Sequence, residues 1–153
     1  MIQLQYRKAN YLDESLYLVW ANDGDVRKNA FNREKIDAEN HHHWFAKKIE
    51  EKDTLMLVFI DEFNCPVGQV RIDKSEYLQV DISVDSKFRR KGAAVFMIET
   101  AVSEYFHTFG KQQPIYSWIK KDHIVSIKVF EKAGFKINDD NAHLQYLEYI
   151  FIP

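Results

Sequence analysis

The sequence predicts a mixed α/β (α+β) fold: a central sheet of about seven strands with helices on both faces. Three observations predict it. Helical and strand-like patterns fall in groups, with helices between sets of strands, an order that covers a sheet on both sides. The run Leu78-Gln79-Val80-Asp81-Ile82-Ser83-Val84 alternates apolar and polar residues as a half-buried strand does. Directly after a short basic turn, Ala94, Val95, Met97, Ile98, Ala101, Val102, Tyr105 and Phe106 recur at helical spacing and mark one face of a long helix.

The elements follow in order. Residues 2–8 alternate like a strand. A helix is expected over 13–22, with Asp13 as its cap and Leu16, Val19 and Trp20 inward. The polar stretch Asn22 to Lys28 separates it from a second helix, Asp37 to Glu51, whose apolar residues are Trp44, Phe45 and Ile49. Strands are expected at 54–60 and 66–73, joined by the turn Asp61-Glu62-Phe63-Asn64-Cys65-Pro66, and a third at 77–84. A helix over 92–108 and a strand over 114–119 come next. Asp122 as N-cap, Gly134 as a left-handed stop and the stripe Ile124, Ile127, Phe130, Ala133 predict a short helix over 123–133. Strands at 134–138 and 143–152 end the chain.

Composition narrows the class. The 153 residues suit a single domain, 1–153, and 46% hydrophobic with 14% aromatic residues supply its core. No apolar run reaches the ~20 residues of a membrane span, and the alternating start lacks a secretory signal's apolar block. The single cysteine, Cys65, excludes an intramolecular disulfide and fits a cytoplasmic protein. A net charge of −2 gives no basic field to recruit nucleic acid. His41-His42-His43 does not read as a metal site, because consecutive helical side chains point about 100° apart. One face of that helix (His41, Trp44, Phe45) either rims a pocket or packs into the core.

The run Arg89-Arg90-Lys91-Gly92-Ala93-Ala94 lies between the strand and the long helix. A helix N-terminus offers unpaired N–H groups and about half a positive charge. One glycine and two alanines allow close approach, and three cations add attraction, so a pyrophosphate is the inferred ligand. The alternative is a solvated basic turn. Neither the P-loop nor the dinucleotide glycine pattern is present.

Taken with the second segment, the pattern is specific. Arg89-x-x-Gly92-x-Ala94 is followed by His123-x-x-Ser126-x-x-x-Phe130-x-x-x-Gly134-Phe135. The pair resembles the GNAT superfamily of acetyl-CoA-dependent N-acetyltransferases, over nearly the whole chain. The resemblance implies a mostly antiparallel sheet, splayed between the strand ending at Val84 and the strand at 115–119, with acetyl-CoA as cosubstrate and no metal. It implies coenzyme contacts at Ile82, Val84, Arg89, Arg90, Lys91, Gly92, Ala93, Ala94, His123, Ser126 and Phe130. A splay of this kind usually needs a bulge, yet the strand carries no glycine to locate one.

Two residues depart from the family pattern. His123 stands in place of asparagine, and Phe130 in place of the tyrosine proposed to protonate the thiolate; phenylalanine has no proton to give. On the polar face of the strand, Gln79 aligns with a family glutamate but cannot serve as a base. Asp81 and Ser83 become the candidate catalytic residues, with Asp81 as base, directly or through water. Asp81 could equally pair with a cation or face solvent.

The N-terminal half is expected to hold a small-molecule amine acceptor. The order Val19-Trp20-Ala21-Asn22-Asp23, Val26-Arg27, Ala30-Phe31 and His41-x-x-Trp44-Phe45 resembles the branch acetylating nucleotide-linked amino sugars. That resemblance implies substrate contacts at Arg27, Phe31 and His41, with Arg27, Lys28 and Arg33 facing a diphosphate. Branches acting on protein N-termini or small amines begin similarly. A non-catalytic acyl-CoA-binding module on the same fold is the rival from another class, and the chain is expected to be a monomer or homodimer.

Overall fold

The computed structural model describes residues 2–138 and 145–153. Seven strands form one sheet: β1 (Gln5–Lys8), β2 (Leu55–Ile60), β3 (Pro66–Lys74), β4 (Leu78–Val84), β5 (Ile115–Lys120), β6 (Lys136–Ile137) and β7 (Tyr146–Phe151). Their order across the sheet is β1-β2-β3-β4-β5-β7-β6. Every neighbouring pair is antiparallel except β4 with β5. The helices are α1 (Glu14–Ala21), α2 (Gly24–Asn29), α3 (Ala38–Glu50), α4 (Ala93–Phe109) and α5 (Ile124–Lys132).

Alternation along the strands sorts the core into two layers. Leu57, Phe59, Val70, Ile72, Leu78 and Val80 pack with Met97, Ile98, Ala101 and Val102 of α4 and Phe130 of α5. On the other face, Met56 and Val58 pack with Tyr17 and Trp20 of α1 and Phe45 of α3. That second face turns polar across β3 and β4, where Gln69 lies opposite Ser83, Arg71 opposite Asp81 and Asp73 opposite Gln79.

Several expectations are corrected. β1 begins at Gln5 rather than residue 2, because its pairing starts at Gln5 with Ile60, the last residue of β2. Val19 faces solvent, while Trp20 is buried as expected, with Leu16 packed against the same cluster and Tyr17, three residues before Trp20, buried beside it. Asp13 does not cap α1 with its side chain. It accepts two hydrogen bonds from Arg7, each 2.8 Å, and one from the Asn10 amide. The polar stretch after α1 contains α2, whose N-cap Asp23 accepts from the amides of Asp25 and Val26. His123, not Asp122, occupies the N-cap position of α5, and Ile124 is exposed, so the inward stripe begins at Ile127. The first two residues of the strand expected at 143–152 lie outside the described residues.

Candidate active site

β4 and β5 run parallel and pair at Gln79 with Tyr116. Beyond this point the two strands part. No bulge in β4 accompanies the parting, since β3 and β4 stay in continuous register from Lys74–Leu78 to Gly68–Val84. β5 likewise keeps continuous register with β7, from Ile115–Phe151 to Lys120–Tyr146, so the sheet parts between two regular ladders.

The hydrogen-bonding phase of β4 follows from its end. The Asp85 amide donates to the Val67 carbonyl at 2.8 Å. Antiparallel pairing alternates, so the backbone groups of Ser83, Asp81 and Gln79 point to β3. Those of Val80, Ile82 and Val84 point toward β5, into the gap. The Val84 carbonyl accepts from Arg89 Nε at 3.1 Å. Gly68 permits this tight pairing: a Cβ there would stand 2.3 Å from the Ser83 carbonyl oxygen and 2.8 Å from the Met97 methyl.

At the end of β4 the chain makes a short 3-10 turn, Ser86–Phe88, with Asp85 accepting from the Lys87 amide. Arg90 (φ 60°) and Gly92 (φ 79°) then adopt left-handed backbone, and Gly92 is the N-cap of α4. No side chain caps that helix, and the space beside Gly92 is open to 4 Å. Arg90, Lys91 and Gly92 are exposed, while Ala93 is buried against the core. The turn has the features of an anion cradle: backbone N–H groups at a seventeen-residue helix with two exposed cations beside them.

Arg89 differs from its neighbours. Its guanidinium donates to Asp23 at 2.7 Å and to Asp25 at 3.0 Å, as well as to the Val84 carbonyl. It clamps α2 to the end of β4 instead of presenting a free cation. Arg27 is likewise engaged, donating to the carbonyls of Ala21, Asn32 and Glu34. Phe31 is exposed and stacks on Tyr146, with ring centroids 4.2 Å apart. His41 is buried between Trp44 and Phe45 and has no hydrogen-bond partner at either ring nitrogen among the described residues. Burial lowers its pKa, against the pull of Glu14. His42 turns instead to Glu14, 2.7 Å away.

On the sheet face beneath α1 and α3, Asp81 accepts from Gln69 Nε2 at 3.0 Å and lies 3.8 Å from the Arg71 guanidinium. Burial opposes the charge on Arg71, but Asp81 and Asp73 outweigh it and raise its pKa. Ser83 is buried, 3.4 Å from the same Gln69 nitrogen. The Gln69 carbonyl oxygen is buried without a partner among the described residues, as is the Tyr17 hydroxyl. Gln69 and Arg71 escaped the sequence reading; the period-two run Gln69-x-Arg71-x-Asp73 in an otherwise apolar strand is the signal that marks them.

Across the gap, His123 is half-buried; burial depresses its pKa, while Asp122 and Asp25 act to raise it. Ser126 is half-buried on the first turn of α5. Phe130 is 3% exposed and packs edge-on against Phe135 at 5.1 Å. Among the described residues no group of three His, Cys, Asp or Glu side chains is placed to hold a metal ion. No helix there is long and apolar enough to cross a membrane.

This parted sheet and glycine-capped turn define a class. The chain belongs to the GNAT acetyltransferase family: the family model described as an acetyltransferase (GNAT) domain matches residues 3–136. It is thus an acyltransferase of a family that uses acetyl-CoA. Its fold is similar to that of spermidine N-acetyltransferase from Vibrio cholerae, solved with CoA and spermine, at TM-score 0.81 and 18% identity, covering 97% of this chain and 94% of that one. A domain from Methanocaldococcus jannaschii is similar at TM-score 0.82 and 18% identity over 98% of both chains. Ribosomal-protein-alanine N-acetyltransferase from Brucella melitensis is similar at TM-score 0.77 and 18% identity, covering 97% of this chain and 99% of that one. No curated protein matches the chain by sequence.

Proposed function

We propose that the protein transfers the acetyl group of acetyl-CoA directly to a primary amine of a small molecule. The observation that carries this reading is the unpaired edge of β4 leading into the turn at Gly92. An extended amide chain can pair with the backbone of Ile82 and Val84 as an added strand would. The pyrophosphate then falls at the N-terminus of α4, met by the amides of residues 92–94 and by Arg90 and Lys91. Arg89 contributes by holding the turn through Asp23, Asp25 and the Val84 carbonyl. His123 and Ser126 flank the gap from the α5 side, and Phe130 supports that side by packing.

The chemistry needs few side chains. The amine nitrogen forms a bond to the thioester carbon, the carbon–sulfur bond breaks, and the sulfur leaves with the electron pair. A backbone N–H on the β4 edge supplies the donor for the thioester oxygen as charge develops there. Asp81 takes the amine proton, and Gln69 and Arg71 hold its carboxylate in place. Ser83 lies beside it, 3.4 Å from the Gln69 nitrogen that also holds Asp81. The proton gained by the coenzyme thiolate comes from solvent, because Phe130 cannot supply it.

Among acceptors, a nucleotide-linked amino sugar finds little support, since the Arg27 guanidinium is engaged with three backbone carbonyls. A simple alkyl amine is the better match to a face carrying Asp81. The spermidine named for the Vibrio cholerae protein belongs to that chemical class. The test is thiol release from acetyl-CoA with spermidine, an alanine-terminated peptide and a nucleotide-linked amino sugar. Turnover with an alkyl amine supports the proposal. Tight acetyl-CoA binding with no turnover on any amine would overturn it.

A further inference from the structure

Resting on that reading, we infer that Glu148 and Trp118 form a subsite for a second positive charge, so that the preferred acceptor is an elongated di- or polyamine. Four observations place this subsite. Gln79 pairs with Tyr116, so alternation puts Tyr116 and Trp118 on the sheet face that carries Asp81 and Ser83. Glu148 of β7 pairs with Trp118 and shares that face.

Glu148 is 6% exposed, yet its carboxylate is met by neutral donors. Trp118 Nε1 donates to Oε1 at 3.1 Å and Asn138 Nδ2 to Oε2 at 2.9 Å. Among the described residues no cation lies within ion-pair distance. Lys120, two residues along the same face, directs its ammonium to the Lys28 carbonyl at 2.7 Å. A buried carboxylate without a counter-charge is costly, and a ligand ammonium offsets that cost.

The surroundings are those that hold an ammonium. The rings of Tyr116 and Trp118 stack with centroids 5.9 Å apart and planes 11° apart. Tyr77, itself partly exposed, lies 5.2 Å from the first and 6.2 Å from the second. Aromatic faces attract alkyl ammonium groups and accept their methylene chains. β4 and β7 are separated by one strand, and β4 and β5 part beyond Gln79–Tyr116, so Asp81 and Glu148 stand at least about 10 Å apart, the width of two paired inter-strand spacings. One amine would react near Asp81 while another, an alkyl chain away, rests at Glu148.

The experiment compares octane-1,8-diamine with octylamine as acceptors, in wild type and in Glu148→Gln. Wild type is expected to favour the diamine in kcat/KM, and Glu148→Gln to reduce that preference by about 30-fold, the usual cost of unpairing a buried charge. An unreactive dication, octane-1,8-bis(trimethylammonium), is titrated in parallel by calorimetry, and Trp118→Leu serves as a second variant. Loss of dication binding in either folded variant supports the subsite. Equal selectivity, equal dication binding in all three proteins, or no binding to wild type overturns it. Dication binding that depends on Glu148, with no acetyl transfer to any amine, would refute the transferase reading and leave the subsite standing.

Discussion

The Arg89 guanidinium donates to the Asp23 carboxylate at 2.7 Å, joining the end of β4 to the start of α2 across 66 positions of sequence. Burial pushes the Asp23 carboxyl up, but Arg89 and the amides of Val26 and Asp25 outweigh it and hold it below the usual carboxylate range. Arg89→Gln is expected to lower the melting temperature by about 2–4 °C, the shift for about 1 kcal/mol in a partly exposed pair. Arg90→Gln and Lys91→Gln should leave the melt unchanged and weaken acetyl-CoA binding, less so at high salt. A normal melt with lost affinity in Arg89→Gln would show that its role is direct binding.

Gly92 marks the coenzyme turn. Gly92→Glu meets no atom at Cβ but puts a carboxylate where the pyrophosphate is expected, on a backbone of φ 79°. The strain costs about 1–2 kcal/mol, so the variant should fold. Acetyl-CoA affinity should fall by about 100-fold or more, the worth of one or two charge-assisted contacts. Gly92→Asn, which tolerates this conformation, should bind nearly as wild type does. Calorimetry on the two variants decides the matter, and normal affinity in Gly92→Glu would remove the turn from the site.

Asp81 is half-exposed and held by Gln69 and Arg71. Asp81→Asn is expected to keep acetyl-CoA affinity and to lower the transfer rate by roughly 10²–10⁴-fold. Part of the loss should return at high pH, where more of the amine is already neutral. A rate within a few-fold of wild type, an unchanged pH profile and a lower melt would reduce Asp81 to the ion partner of Arg71.

Phe130 sits in the core against Phe135. Phe130→Tyr would bury a hydroxyl there and is expected to cost about 1–3 kcal/mol. Phe130→Leu should cost a similar amount through lost packing and lower the rate only a few-fold. Melts and initial rates measured together test this, and a several-hundredfold rate loss in folded Phe130→Leu would give the ring a direct part in transfer.

Asp13 predicts an acid-sensitive contact. The Arg7 hydrogen bonds hold its carboxyl below the ordinary range; burial opposes them, and the Asn10 amide adds to them. The stability this gives is complete above the unfolded pKa of ~4 and is lost as pH falls through the lower folded value. Asp13→Asn should be about 1–2 kcal/mol less stable at neutral pH, with the difference from wild type shrinking below pH ~4. A difference that stays constant on acidification would show that the effect does not depend on the charge of the Asp13 carboxylate.

Local chemistry carried the parts of the fold that the sequence makes legible. The face of α4, the Asp37 cap of α3 and the left-handed stop at Gly134 all act within a few residues. α2 was hidden because six residues held by Asp23 need no apolar period. The site divides in the same way. A glycine between strand and helix is visible in sequence, whereas the partners of a cation are not. Arg27 and Arg89 have the look of ligand contacts until carbonyls and Asp23 are found against them. Glu148 gives no sign in sequence, since its burial and its neutral partners depend on β5, β6 and β7 being assembled.

The single rung between β4 and β5 also bears on how the molecule comes apart. With pairing at Gln79–Tyr116, β1–β4 and β5–β7 meet at a seam spanned mainly by side-chain packing under α4 and α5. Amides of β5 and β7 should therefore exchange with solvent at a lower opening free energy than those of β2 and β3, as a separate cooperative unit. A molecule lying along the gap would stitch the two halves, so ligand would slow exchange in β7, remote from any contact with it. Ligand binding and the mechanical continuity of the sheet would then be the same event.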